Sequence, residues 1–335
     1  MRILPRSVQP LSALALLPLL AACSGAGSAL APAPSQSLTA ASKQAAQSAD
    51  VRTQGSTTYT FTPVTNSGDP NFNQLLGIND SGEIAGYFGV GTKQSPNKGY
   101  TVVAPYGPSN FSSENFPGST MTQVTAINEN GGTAGFWVDK AGNNYGFTYI
   151  NNTFVSYSDN ANGGGSFNQL LGINDHGLAV GFYTDSSGNN HGYRLNLADS
   201  MFTEIVPPTG GSNLQATGID DMDDTVGFYT NSSNVVVGFL LKMKNFTTIQ
   251  YPGAMQTNPL GINEKDEIVG SYVDSAGATH GFTLTNPIKK PVWTTVDDPN
   301  GVGETVVNGI NTKGDLVGFY QPTPTTSYAF VATKK

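Results

Sequence analysis

Side chains capable of chemistry are few in this sequence, and most recur at fixed places. Amides stand at Gln74, Gln123, Gln169, Gln215 and Asn258, each five positions before the Asn or Asp that ends a Gly/Ala-Ile-Asn/Asp triplet, and Val306 holds the sixth such place. An amide both donates and accepts hydrogen bonds, so five of them around a channel would suit carbohydrate or peptide backbone as a ligand. They would equally well bond one another or channel water, because buried polar groups must find partners. His191 and His280 share a slot that elsewhere holds Lys98, Tyr145, Val237 and Tyr328, and His176 sits alone on a turn. A slot that takes Lys and Val is no ligand set. The one acidic run, Asp220-Asp221-Met222-Asp223-Asp224, has oxygens enough for calcium but lacks the alternating spacing and distal Glu of a calcium loop, so it reads as an acidic surface turn and no metal is expected there.

The elements that would position these groups are repeats. The triplet isoleucines are Ile78, Ile127, Ile173, Ile219, Ile262 and Ile310, spaced 43 to 49 residues apart. A period in the forties is what one four-stranded propeller blade consumes. Each repeat reads as a first strand ending at the Ile, a tight turn such as Asn174-Asp175-His176-Gly177, and a second strand with paired aromatics such as Phe182-Tyr183. A polar turn, a third strand and a fourth strand led by an aromatic (Phe111, Phe154, Phe202, Phe246, Trp293) follow. The turn closes on Gly in four repeats and on Asp223 or Asp266 in the others, which predicts a backbone with positive φ. Large residues on both faces of the second strand must be covered on both faces, so the aromatic stripe is core rather than a sugar-stacking platform.

The repeats are incomplete at their ends in complementary ways. Phe61 lies 17 residues before Ile78, where a fourth strand belongs, yet no first three strands precede it. The last repeat runs out after Ser327 to Thr333, a third strand with no fourth. The sequence therefore predicts an all-β, six-bladed β-propeller over residues 57–335, its last blade closed by the N-terminal strand.

Residues 1–22 have the layout of a secretory signal: Arg2 and Arg6, an apolar run from Leu11 to Leu20, then Ala21 and Ala22 before Cys23. The Leu-Ala-Ala-Cys ending resembles the lipobox of bacterial lipoproteins. That resemblance implies cleavage before Cys23 and a lipid on its sulfur, and Ser24 after it implies the outer membrane. Residues 23–56, rich in Ala, Ser, Gln, Gly and Pro, then read as a disordered tether to the folded body.

Composition narrows the function. Cys23 is the single cysteine, so neither a disulfide nor a Cys/His metal site is available. A net charge of −8 with no basic run excludes a phosphate-neutralising, nucleic-acid-binding surface. The innermost-strand slots carry amides, Thr and aliphatics rather than acids or histidines, and two or more convergent carboxylates or histidines at a channel mouth would be the sign of catalysis. The pattern G-I-N-x-x-G-x-x-V-G-x-[YF], followed by D-x-x-G and H-G-[FY], resembles the bacterial HAF repeat, a probable extracellular repeat. The resemblance implies export and a repeat β fold, and it carries no catalytic residues. The expectation is an exported surface lipoprotein without cofactor, held to the membrane through Cys23 and serving as a non-catalytic scaffold for an extracellular glycan or protein. The alternative is a propeller hydrolase or lyase acting on an extracellular polysaccharide or a lactone.

Overall fold

A computed structural model describes residues 59–158, 166–301, 303–323 and 325–335. The signal sequence, Cys23 and the tether lie outside them. The described residues form six four-stranded antiparallel sheets. Blade 1 comprises β2 (Asn73–Ile78), β3 (Ile84–Phe88), β4 (Lys98–Val102) and β5 (Phe111–Ser113). Blade 2 comprises β6 (Met121–Ile127), β7 (Thr133–Val138), β8 (Asn144–Ile150) and β9 (Thr153–Tyr157). Blade 3 comprises β10 (Asn168–Ile173), β11 (Leu178–Thr184), β12 (Asn190–Asn196) and β13 (Met201–Glu204). Blade 4 comprises β14 (Ser212–Ile219), β15 (Thr225–Thr230), β16 (Val236–Lys242) and β17 (Asn245–Ile249). Blade 5 comprises β18 (Gln256–Ile262), β19 (Ile268–Val273), β20 (Thr279–Thr285) and β21 (Val292–Val296). Blade 6 takes β22 (Thr305–Ile310), β23 (Leu316–Thr323) and β24 (Thr326–Lys334) from the end of the chain and β1 (Tyr59–Val64) from its start.

The closure inferred from the two incomplete repeats is present. β1 pairs antiparallel with β24 from Tyr59↔Lys334 to Val64↔Ala329, which covers the edge that β24 would otherwise expose. Phe61 packs edge-on against Phe330 with ring centroids 5.0 Å apart. The predicted turn geometry is also present: Gly82, Gly131, Gly177 and Gly314 have φ between 77° and 81°, while Asp223 and Asp266 have φ of 62° and 56°.

The core lies in the seams between blades. One apolar cluster joins Val180 of blade 3 to Leu214, Val237 and Phe239 of blade 4, and another joins Leu75 and Tyr100 of blade 1 to Val317 and Ala329 of blade 6. The paired aromatics serve these seams as expected, with Phe182 and Tyr183 both buried. Glycine before the triplet Ile has a steric reason. A Cβ on Gly172 would stand 3.1 Å from the Cα of Gly218, so the inner strands meet backbone to backbone around the axis. Gly181 on β11 is tighter still, since its Cβ would lie 1.9 Å from the carbonyl oxygen of Gln169.

Candidate functional site

All six inner strands carry a β-bulge one residue before the triplet Gly or Ala, as where Leu75 pairs with Gly86 but Gly77 with Ala85. Side chains of a strand stand off its two faces, which in a propeller look at neighbouring blades; the bulge re-aims one residue toward the axis. The bulged residues Leu76, Thr125, Leu171, Thr217, Leu260 and Asn308 line an axial cavity. They alternate leucine with a hydrogen-bonding residue, and each of the latter reaches the following blade. Thr125 Oγ1 donates to Leu170 O at 2.8 Å, Thr217 Oγ1 to Pro259 O at 2.9 Å, and Asn308 Nδ2 to Leu75 O at 2.8 Å.

A second cavity opens at one mouth of the channel, beyond the triplet isoleucines. Its wall is built by the turns. In each turn the side-chain oxygen of the Asn or Asp accepts a backbone N–H four residues on, as Leu178 N donates to Asn174 Oδ1 at 2.9 Å. This is the turn-forming bond expected of an Asn there. The amide nitrogen does something more. Asn79 Nδ2 donates to Asn128 O, Asn128 to Asn174 O, Asn174 to Asp220 O, Asn263 to Asn311 O, and Asn311 back to Asn79 O, at 2.9 to 3.3 Å. Five links of a six-link ring are therefore closed, and Asp220, which has no amide to give, is the break.

Acids form a parallel ring just outside. The residue after each turn Asn or Asp is Asp80, Glu129, Asp175, Asp221, Glu264 or Thr312. Asp80 N donates to both carboxylate oxygens of Glu129 (3.0 and 2.9 Å), Asn130 N to Asp175 Oδ1 (3.3 Å), Asp175 N to Asp221 Oδ1 (2.8 Å) and Thr312 N to Asp80 Oδ1 (2.8 Å). The Asp221 backbone bonds the Glu264 carboxylate in the same manner. In both rings every donor sits on one blade and its acceptor on the next. Glu129, Asp221 and Glu264 line the cavity itself.

The carboxylates feel one another. Burial raises the pKa of Glu129, and the charges of Asp80, Glu264 and Asp175 raise it further, against the backbone bond from Asp80. Burial and the charges of Asp221 and Asp80 likewise raise Glu264. Asp220 is pushed up to about 7, first by burial and then by the Asp224 carboxylate, despite the N–H groups of Asp224 and Met222 on its Oδ1.

The sequence-predicted amide slot lies elsewhere. Gln74 Nε2 donates to Ser327 Oγ (3.2 Å), Gln123 Nε2 to Asn97 Oδ1 (3.0 Å) and Gln169 Nε2 to Asn144 Oδ1 (3.5 Å), in each case toward the preceding blade. Tyr87 adds a 2.8 Å bond to Gln74 Oε1. Gln74, Gln123, Gln169 and Asn258 are buried and Gln215 is half-buried, and none of the five lines either axial cavity. The amides stand in the seams between blades. Val306, the apolar member of the slot, is buried in the same way.

His191 and His280 occupy outer positions of blades 3 and 5. Nδ1 of His191 lies 2.9 Å from Glu204 and Nε2 3.1 Å from Asp185, while its ring stacks on Tyr183 at 4.8 Å. His280 is held between Asp297 (2.7 Å) and Asp274 (3.5 Å). Burial disfavours the charged imidazole in both, but the carboxylate bonds outweigh it and raise both pKa values. Each ring has both nitrogens engaged, so neither is free as a base. The acidic turn is more than a surface turn: Asp220 and Asp224 are buried, and Asp224 is paired with Lys242.

The acids of the mouth escaped the sequence reading because they come from the turns rather than the inner strands. The available signal was the residue following the triplet, which is acidic in five repeats of six.

No protein-family model matches the sequence, and no curated protein matches it. Among solved structures, the chain is similar to a fucose-specific lectin from Aleuria aurantia, with 10% identity over 78% of this chain and 97% of the lectin (TM-score 0.48). It is also similar to AofleA from Arthrobotrys oligospora, with 10% identity over 83% of this chain and 84% of that one (TM-score 0.47). A third is TolB from Acinetobacter baumannii, with 10% identity over 80% of this chain and 66% of that one (TM-score 0.48).

Proposed function

We propose that this chain is an exported, lipid-anchored, non-catalytic binding scaffold of the HAF-repeat kind, whose ligand face is the acid-rimmed mouth of the channel. The observation that carries the reading is the ring of five turn carboxylates, three of which line the cavity at one mouth of a closed six-bladed body. Their mutual repulsion favours a ligand that brings positive charge, such as a basic segment of an extracellular protein or an amino-bearing glycan. Support for the anchor comes from the Leu-Ala-Ala-Cys23 ending of the signal-like segment. Support for a non-catalytic role comes from the bonding of the acids, which hold backbone N–H groups of the neighbouring blade, and from His191 and His280, whose ring nitrogens are both engaged by carboxylates.

Arrays of basic peptides and amino-bearing glycans, probed with the folded body at low and raised salt, test the binding. Salt-sensitive binding that is lost in Glu129→Gln/Asp221→Asn/Glu264→Gln supports the reading, and binding indifferent to that triple change refutes it. Cell fractionation tests the anchor: Cys23→Ala should move the protein from the membrane to the soluble fraction.

A hydrolase or lyase is the second reading, because Glu129, Asp221 and Glu264 converge at one mouth of the channel, the sign of catalysis named from the sequence, and the raised pKa values of Glu129 and Glu264 suit a general acid. Turnover of a polysaccharide or lactone that Glu129→Gln or Glu264→Gln abolishes would favour it over the scaffold.

A further inference from the structure

The repeats supply their own control for what is unusual about Asp220. In blades 5 and 6 the amide of the turn Asn faces an acid four residues on: Asn263 Nδ2 donates to Glu267 Oε2 at 2.9 Å and Asn311 Nδ2 to Asp315 Oδ2 at 3.3 Å. In blade 4 the acid is kept, as Asp224, but the Asn has become Asp220. An amide facing a carboxylate has become one carboxyl group facing another.

No side chain among the described residues repairs this. Asp220 is 2% exposed, and its Oδ2 is buried without a hydrogen-bond partner. A third carboxylate, Asp266 of the next blade, approaches the same point, and one oxygen from each of Asp220, Asp224 and Asp266 lies within 4.8 Å of the others. The Lys242 ammonium reaches two of the three, Asp224 at 2.6 Å and Asp266 at 2.7 Å, and leaves Asp220 unserved. Arg194 is occupied with the Asp223 carbonyl and the Thr225 hydroxyl.

We propose that the seam between blades 4 and 5 is a calcium site in which Asp220, Asp224 and Asp266 are the protein carboxylate ligands and Lys242 is a built-in competitor. Three oxygens within 4.8 Å of one another lie no more than about 2.8 Å from a common centre, so side-chain shifts of a few tenths of an ångström bring all three to about 2.4 Å from one ion, the bond length calcium takes. Calcium suits an all-oxygen site of irregular shape better than magnesium, which demands near-octahedral geometry and keeps its water. The Lys242 side chain is 30% exposed and has solvent to swing into when the ion enters. An ion there would join the two blades at the single place where the ring of turn amides is broken.

Calorimetric titration of calcium into the chelator-treated folded body, with the melting midpoint followed in parallel, tests the site. One calcium per chain should bind and raise the midpoint. Lys242→Met, which removes the competitor and leaves the ligands, should bind at least about tenfold more tightly. Asp266→Asn should lose binding while still melting cooperatively, and Asp221→Asn, an acid of the mouth outside the cluster, should keep it. Absence of binding to both the native chain and Lys242→Met at millimolar calcium would overturn the proposal, as would binding that Asp266→Asn leaves intact. These outcomes are separate from those for the channel mouth, where the triple variant spares all three ligands.

Discussion

Replacing Asn174 by Ala tests whether the ring of turn amides holds the blades together. The side chain is 3% exposed and makes four hydrogen bonds: its oxygen takes His176 N (3.1 Å) and Leu178 N (2.9 Å), and its nitrogen gives to Asp220 O (3.0 Å) and Asp223 Oδ1 (2.9 Å). At about 1 kcal/mol net per bond, with more for the one to a carboxylate, the loss should be about 4 kcal/mol. Asn128→Ala removes only two, to Gly132 N and Asn174 O, from a half-buried site, and should cost about half as much. Asn174→Asp separates the two duties, since it keeps the turn-forming oxygen but loses the donor and sets a carboxylate against Asp223. It should cost about 2 kcal/mol at neutral pH. The measurement is urea unfolding followed by intrinsic fluorescence, with the slope unchanged and the midpoint shifted. If Asn174→Asp unfolds like the native chain, the inter-blade bonds add nothing and the Asn is only a turn former. If Asn174→Ala and Asn128→Ala cost the same, the count of bonds is not what sets the cost.

Three further outcomes follow from the fold. Deleting residues 59–64 strips β1 from β24 and should yield a body that melts well below the intact one and self-associates through the bared edge, as read by scanning calorimetry and size-exclusion chromatography; an unchanged melt would contradict the closure. Gly181→Ala places a methyl group 1.9 Å from Gln169 O and should cost about 3 kcal/mol, whereas Gly188→Ala, with nothing near its Cβ, should cost only about 1 kcal/mol for its positive φ; equal midpoints would refute the packing argument. Burial and the Glu83 charge push the Glu114 pKa up to about 7 from its ordinary 4.5, against a hydrogen bond from the Thr133 hydroxyl. Native Glu114 therefore holds its proton where the unfolded chain has released it, and stability falls as pH rises from about 4.5 to about 7. Glu114→Gln should recover up to about 3 kcal/mol above pH 7 and nothing below pH 4, and a gain independent of pH would show that Glu114 titrates normally.

Architecture was legible because the features that build a propeller are local. Period and turn glycines each answer to a constraint within one repeat, the paired aromatics recur because every blade is covered on both faces, and the closing strand could be counted from Phe61 to Ile78. The site was less legible for two physical reasons. A bulge at Leu76 and its five counterparts changes the register between Gln and Ile without any residue type that announces it, so the amides look into the seams while the bulged side chains look into the channel. The acids at Asp80, Glu129, Asp175, Asp221 and Glu264 are ordinary turn residues within one repeat, and only the ring brings them to a common mouth. Asp220 is the intermediate case: its departure from Asn is plain in the sequence, but the opposing Asp224, the Asp266 of the next blade and the leftover oxygen need coordinates.

The pairing of β1 with β24 also sets an order of events. A chain made from its N-terminus presents β1 first and its partner almost last, so every other blade can be complete while the ring is still a broken crescent. Through that interval β1 waits unpaired and two blade edges lie open to the strands of other molecules. The contact that ends the wait joins residues from opposite ends of the sequence, which makes it the slowest kind to find. The hazard of misassembly is thus concentrated in the time between the emergence of Tyr59 and that of Lys334.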